Sequence, residues 1–305
     1  MAVVINTNVD SLKIQNYLTK ATSSMSKTMQ RMSSGLQILD AKDDAAGTVI
    51  SAKMQVQLNG NKIAQKNVQN ANAMLQTAEG NLDVIEGNIS RIRDLTLQAK
   101  NGTYSTEEIK AMQDEVAQRI AEIDRVSKSA KHSSLQLFGD GGIGTYKGLA
   151  ANGATFQVGP NAGDNNVIVA DKSLFASVEF SALTGASKFD LTKLADTTYG
   201  KNGKTDPSAT YANNEFDQAI AALDNAINDI TGRKSIIGSA GNRMDSALET
   251  LTTQYENLSS ANSIIVDTDV AEQASKYTQE SILQQVSTSL LAQANQAPSI
   301  ALSLV

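Results

Sequence analysis

The sequence predicts a mainly α fold: a long antiparallel coiled-coil helical bundle, drawn out into a rod, with a small β-hairpin excursion in the middle of the chain. Three observations predict it. Apolar residues near both ends recur at steps of three and four, the spacing of one helix face. Aromatic residues make up only 4% of the 305 residues and tryptophan is absent, so core volume must come from Ala, Val, Ile, Leu and Met, the residues of packed helices. Residues 139–205 instead hold eleven of the twenty glycines and four of the six phenylalanines, a composition shift that marks different local architecture.

The first helical run is Ile14, Leu18, Ala21, Met25, Met29, Met32, Leu36 and Leu39. The second, Ala71, Leu75, Ala78, Leu82, Ile85, Ile89 and Ile92, alternates steps of four and three without a break. The third is Ile109, Met112, Val116, Ile120 and Ile123, with Ser105 and Glu108 spaced as a capping box before it. The longest run leads from Phe216 through Leu223, Ile230, Met244 and Leu251 to Ile265, interrupted on the seam only by Lys234, Gly241 and Asn262. A seven-residue repeat this long calls for partner helices.

Between these runs, TFQVGPNAGDNNVIVA (155–170) places two β-prone segments around a turn-rich centre and predicts a hairpin. SLFASVEFSAL (173–183) is read as a further strand, and the polar stretch from Thr197 to Asn214 as an exposed loop. The expected organisation is helices, a small β-containing excursion, then helices that return to pack on the first set.

Composition excludes several functions. The net charge of −6 gives no electrostatic reason to expect nucleic acid. Without cysteine there is no disulfide, zinc-thiolate site or catalytic thiol. The single histidine, His132, cannot supply the two ligands of HExxH and sits at a polar helix end. GDGGIG (139–144) lacks the GK[ST] ending of a phosphate loop. The aspartates of DAKDDAAG (40–47) lack the distal bidentate glutamate of a calcium loop and suit helix capping, as does Asp269. No catalytic, metal-binding or cofactor-binding residues emerge, and no enzyme activity is expected. MAVVINTNVD shows neither the basic nor the apolar region of a cleaved secretory signal.

Residues 281–305 carry no charge, yet include eleven Ser, Thr, Asn or Gln residues and Pro298. They are too polar for a lipid span and too neutral for a solvated tail. As a helix, Leu283, Val286, Leu290, Ala294, Ala297, Ala301 and Leu304 fall on one seam, expected to pair with Ile14, Leu18, Ala21, Met25 and Met32. Residues 1–40 have four positive and two negative side chains, whereas 260–305 have one and four; opposite signs favour their meeting.

VINTNVDSL (4–12), MSSGLQILDAKDDAAGTVIS (32–51) and GNISRIRDLTLQAKNGTYSTEEIKAMQDEVAQRIAEIDRVS (87–127) resemble the N-terminal region of bacterial flagellins. NRMDSALETLTTQYENLSSANSII and ESILQQVSTSLLAQANQAPSIALSL resemble their C-terminal region. The paired DDAAG and LLAQANQ motifs are specific, and the likeness covers roughly 140 residues at the start and 90 at the end. Gln37 and Leu39 stand where the family commonly has other residues.

The resemblance implies a structural subunit that self-assembles into the helical flagellar filament for motility. It implies residues 1–44 with 260–305 as a terminal coiled-coil inner domain, 45–170 with 206–259 as a helical rod domain carrying the hairpin near 155–170, and 171–205 as a much-reduced variable outer segment. It implies a secreted, extracellular location in the bacterial flagellum. It implies an export chaperone, a filament cap and hook-junction proteins as partners, with neither nucleic acid nor membrane among them. A hook–filament junction protein of the same family is the alternative. By the same resemblance, Arg91, Leu95 and Glu115 match positions that contact the animal Toll-like receptor sensing flagellin. The mechanism expected is that the terminal helices fold when stacked copies surround them, since helix pairs of this kind are marginal alone.

Overall fold

A computed structural model of the chain describes residues 8–101, 103–139, 153–185, 189–191 and 213–302, without the side chains of 213, 214 and 297–302. Of the described residues 80% are helical, in six α-helices, with two small antiparallel two-stranded sheets beside them. The contacts group the chain into two compact units, 1–59 with 254–305 and 60–253. The boundaries fall inside the helices Ala45–Lys100 and Asn213–Val266.

In the first unit, α1 (Val9–Ser34) begins where the Asn8 side chain accepts a hydrogen bond from the Ser11 amide at 3.0 Å. It ends at Gly35, whose φ of 73° is left-handed; glycine adopts that conformation without a Cβ clash. The first turns of α2 (Ala45–Lys100) follow, led by Asp44, whose carboxylate accepts from the Gly47 amide. The unit also takes the end of α5 (Asn213–Val266) and all of α6 (Val270–Leu302). Asp269 caps α6 by accepting from the amides of Ala271 and Glu272, as its position implied.

The second unit carries the main apolar core. Leu82, Ile85, Ile89 and Ile92 of α2 are fully buried. So are Val116 and Ile123 of α3 (Thr106–Ser129) and Phe216, Leu223 and Ile230 of α5. Heptad runs read from the sequence thus meet one another, each adding burial at about 25 cal/mol per Å² of apolar area. Ser105 and Glu108 form the expected capping box at the start of α3, with bonds of 3.3 and 2.7 Å.

Polar rungs fix the register of α2 against α5. Asn72 bonds Asp245, Lys234 bonds Asp83 and Glu86, Arg93 bonds Asp224, and Lys100 bonds Asp217. Twenty-eight residues forward on α2, from Asn72 to Lys100, match 28 residues back on α5, from Asp245 to Asp217. The Lys234 interruption of the seam is therefore a rung, its ammonium held between two carboxylates that raise its pKa.

The hairpin stands where it was expected. β3 (Ala154–Gln157) and β4 (Val167–Ala170) pair antiparallel, with Ala154 opposite Ala170 and Gln157 opposite Val167. Pro160 in their connection comes so close to Gly60 of α2 that a Cβ there would lie 2.8 Å from the proline ring. A second, two-residue ladder, β1 (Lys131–His132) with β2 (Leu135–Gln136), follows α3. His132 thus belongs to a tight hairpin rather than a helix end.

Two expectations need correction. SLFASVEFSAL forms no strand: Lys172–Phe175 is a 3-10 turn and Phe180–Thr184 the short helix α4. Nor do its residues stand apart as an outer segment. Leu174, Phe175, Val178 and Phe180, with Leu191 beyond them, are buried in the same core as α2, α3 and α5, because large apolar side chains gain most by leaving water. The glycine motif at 139–144 beyond Gly139, and the loop read from Thr197 to Asn214 as far as residue 212, lie outside the described residues.

Candidate functional site

The terminal helices form an antiparallel pair. Asn8 Nδ2 donates to the Ala294 carbonyl at 2.8 Å, Ser11 bonds Asn295 at 2.9 Å, and Thr28 bonds Glu280 at 3.0 Å. Beyond them the backbone itself joins: the Thr268 amide donates to the Gly35 carbonyl at 2.9 Å and the Gln37 amide to the Val266 carbonyl at 2.7 Å.

On α1 one half-buried row recurs at steps of three and four. Ile14, Leu18, Ala21, Met25 and Met32 are half-buried, and Thr28 between them is buried. On α6 the facing row differs from the expectation. It is Gln273, Tyr277, Glu280, Gln284, Ser287, Leu291 and Ala294, in steps of four and three. Leu283, Val286 and Leu290 turn away and remain 47–49% exposed, with Ile282 beside them at 54%. Of the described side chains of the proposed seam, Ala294 alone lies in the row that faces α1. Ala297 and Ala301 lie in the helix, but their side chains, like all of Leu304, fall outside the described residues.

The physical reason is that α6 carries two parallel rows of heptad spacing, one residue and so about 100° apart. The polar row satisfies Thr28 and Asn8 of α1. The apolar row stays exposed among the described residues. Periodicity alone selects the more apolar row; the signal that could have corrected it was Glu280, whose carboxylate needs a donor such as Thr28 in the facing seam.

A groove of about 820 Å³ lies on another face of α1 and is closed by the connector to α2. Thr19, Thr22, Ser23, Ser26, Lys27 and Gln30 supply its helical wall, with Leu39 and Asp43 opposite. Lys27 donates to Asp43 at 2.6 Å, and this bond holds the Asp43 carboxyl below its ordinary pKa.

In the second unit, Arg91 of α2 grips Glu115 of α3 through two bonds, Nε to Oε1 at 2.8 Å and Nη2 to Oε2 at 3.1 Å. Arg119 adds a contact to Glu115 at 3.6 Å and donates to Asn88. The Arg91 bonds hold the Glu115 carboxyl low and raise the guanidinium in turn. Leu95 does not join this surface. It is 2% exposed and part of the apolar core, because its place on α2 follows the Ile85–Ile89–Ile92 row inward. Among the described residues no cluster of His, Asp or Glu could hold a metal ion, and no helix is long and apolar enough to cross a membrane.

Residues 5–141 match the bacterial flagellin N-terminal helical region and residues 220–305 the bacterial flagellin C-terminal helical region. The chain belongs to the bacterial flagellin family. It is 35% identical to the flagellin of Bacillus subtilis strain 168, covering 99% of both chains. It is 34% identical to the flagellin of Serratia marcescens over the whole of both chains. A flagellar filament 30.7 kDa core protein of Treponema maltophilum shares 32% identity over 96% of each. A solved structure assigned to a flagellar hook-associated protein of Vibrio parahaemolyticus shares the fold alone, with a TM-score of 0.55 and 14% identity over 73% of this chain and 99% of that one. The apolar row of α6 and the half-buried row of α1 therefore lie on the terminal helices of a flagellin, a structural protein.

Proposed function

We propose that this flagellin polymerises through its terminal helices into the flagellar filament, and that the α1–α6 pair acquires its full order on assembly. One observation carries the reading: Leu283, Val286 and Leu290, on a helix without charge from residue 281 onward, are about half exposed in the single chain. Apolar rows of this regularity find burial against neighbouring copies. The α1–α6 contact sets a half-buried apolar row of α1 against a largely polar row of α6 and leaves that burial undone, so the free pair is weakly held. Stacking supplies the missing contacts, and the ordering entropy is lost at that step. A contact that does not close a ring extends into a helical polymer.

Filament growth from purified chain, followed by electron microscopy, tests this. Full-length chain is expected to elongate on seeds, and a chain lacking residues 281–305 is not. Growth of ordinary filaments by the shortened chain would overturn the proposal. Circular dichroism adds a second readout: helix content should rise on polymerisation, and a free monomer with fully helical termini removes the coupled-folding step.

The same reading places the protein outside the cell, exported with its terminal row shielded by a chaperone and added beneath a cap beyond the hook-junction proteins. Contact with a Toll-like receptor rests here on Arg91 and Glu115, both half-exposed; the buried Leu95 would act by supporting α2. The hook–filament junction reading has less support, since relatives matched along their whole length carry the name flagellin, whereas the hook-associated likeness reaches the fold only.

A further inference from the structure

The outward row of α6 has a defined composition. Gln279, Leu283, Val286, Leu290 and Gln293 follow one another in steps of four and three, and all are exposed. The row is an apolar ridge bounded at each end by a glutamine. From Gln279 to Gln293 it extends about 21 Å at 1.5 Å per residue.

The groove on α1 matches this ridge in length, charge and hydrogen bonding. Its helical wall runs from Leu18 to Gln30, about 18 Å by the same rise. Small hydroxyl side chains, Thr22 and Ser26 among them, let a second helix approach closely, while Leu18 and Leu39 offer apolar contact. Two lysines and two aspartates line it and cancel in charge, which suits a row with no charge of its own. The groove also holds an unmet polar atom. The Asp43 side chain is only 4% exposed, and its Oδ2 has no hydrogen-bond partner among the described residues, with Arg31 Nη2 4.0 Å away. A primary amide such as that of glutamine supplies the donor this oxygen lacks, once the long Lys27 side chain gives way.

We infer that the ridge Gln279–Leu283–Val286–Leu290–Gln293 of one copy seats in the α1 groove of another, with a glutamine amide donating to Asp43. The ridge turns away from its own α1, so two copies that dock this way leave one ridge and one groove free. The contact is heterologous and propagates instead of closing. This inference rests on the filament reading and names the surfaces that reading leaves unspecified.

The natural chain contains no cysteine, which makes a cross-linking test direct. Two full-length variants, Ser23→Cys in the groove and Val286→Cys on the ridge, are mixed in equal amounts, assembled and oxidised mildly. Filaments should form, and a disulfide-linked dimer should appear in the mixture at least tenfold above either variant alone. Filaments without that dimer overturn the groove assignment and leave the filament reading standing. Failure of the unaltered chain to form filaments under the same conditions overturns that reading and the groove with it. A second variant checks the polar contact. Asp43→Leu removes the acceptor and should raise the critical concentration for growth at least threefold, whereas Gln279→Ala with Gln293→Ala should reproduce that rise; no change in either overturns the amide contact.

Discussion

Thr28 Oγ1 donates to Glu280 Oε2 at 3.0 Å, joining α1 to α6 across 252 residues of sequence. Thr28 is the one buried residue of its helix, and Glu280 is the last charged side chain before the terminus. The bond sets a polar pair beside the half-buried Ala21, Met25 and Met32 of α1. Polar pairs of this kind fix register in helix pairs.

Removing one partner should cost more than removing both. Thr28→Val is expected to weaken the terminal pair by about 1 kcal/mol, because the Glu280 carboxylate loses its donor. Thr28→Val with Glu280→Leu should recover most of that loss. Hydrogen-exchange protection of α1 and α6 amides measures both, as a double-mutant cycle; additive losses would show that the two residues do not act together.

In the second unit, Ile89→Ala should destabilise by about 2–5 kcal/mol, the range for emptying a filled core site. Ile89 has no exposed surface and sits among residues from all three long helices of that unit. Chemical denaturation reads the change. A loss under 1 kcal/mol would mean the seam can collapse around the gap.

Ser105→Ala should cost about 1 kcal/mol by removing the hydroxyl that accepts from the Glu108 amide. Ser105→Asp should preserve the cap, since aspartate accepts equally well. Thermal midpoints of the two variants should therefore separate, with Asp near the parent.

Acid should loosen the fold through particular carboxylates. Arg91 holds Glu115 below its ordinary value of 4.5, and Lys27 holds Asp43 below 3.8. A depressed carboxylate contributes stability that is complete above its ordinary value and is lost as pH falls through the lowered one. Melting temperature should thus be steady from pH 7 to about 5 and fall below about 4. Glu115→Gln lacks that titration and should show a shallower fall; parallel curves for the two proteins would count against the Arg91 clamp.

Much of this was legible because burial and periodicity coincide in the second unit. Ile85, Ile89 and Ile92 have one apolar row and one place to put it. The capping box at Ser105 and the cap at Asp269 were equally readable, since each depends on residues three apart or closer. The α6 row was not. Leu283 and Gln284 are adjacent, each starts a row of equal period, and the choice between them depends on Thr28 and Asn8, more than 250 residues away. Leu95 was misjudged for the opposite reason: a likeness in local sequence assigned it to a surface, while its helical phase placed it inside. Phe175 and Phe180 resembled strand residues because bulky apolar side chains suit a sheet and a core lid alike.

The two backbone bonds from Thr268 to Gly35 and from Gln37 to Val266 tie together the passages into and out of the terminal pair. Neither connector can then swing alone. A twisting load that arrives along one strand of chain is shared at once with the other, so the pair behaves as a single yoke, and its two arms move through the same angle.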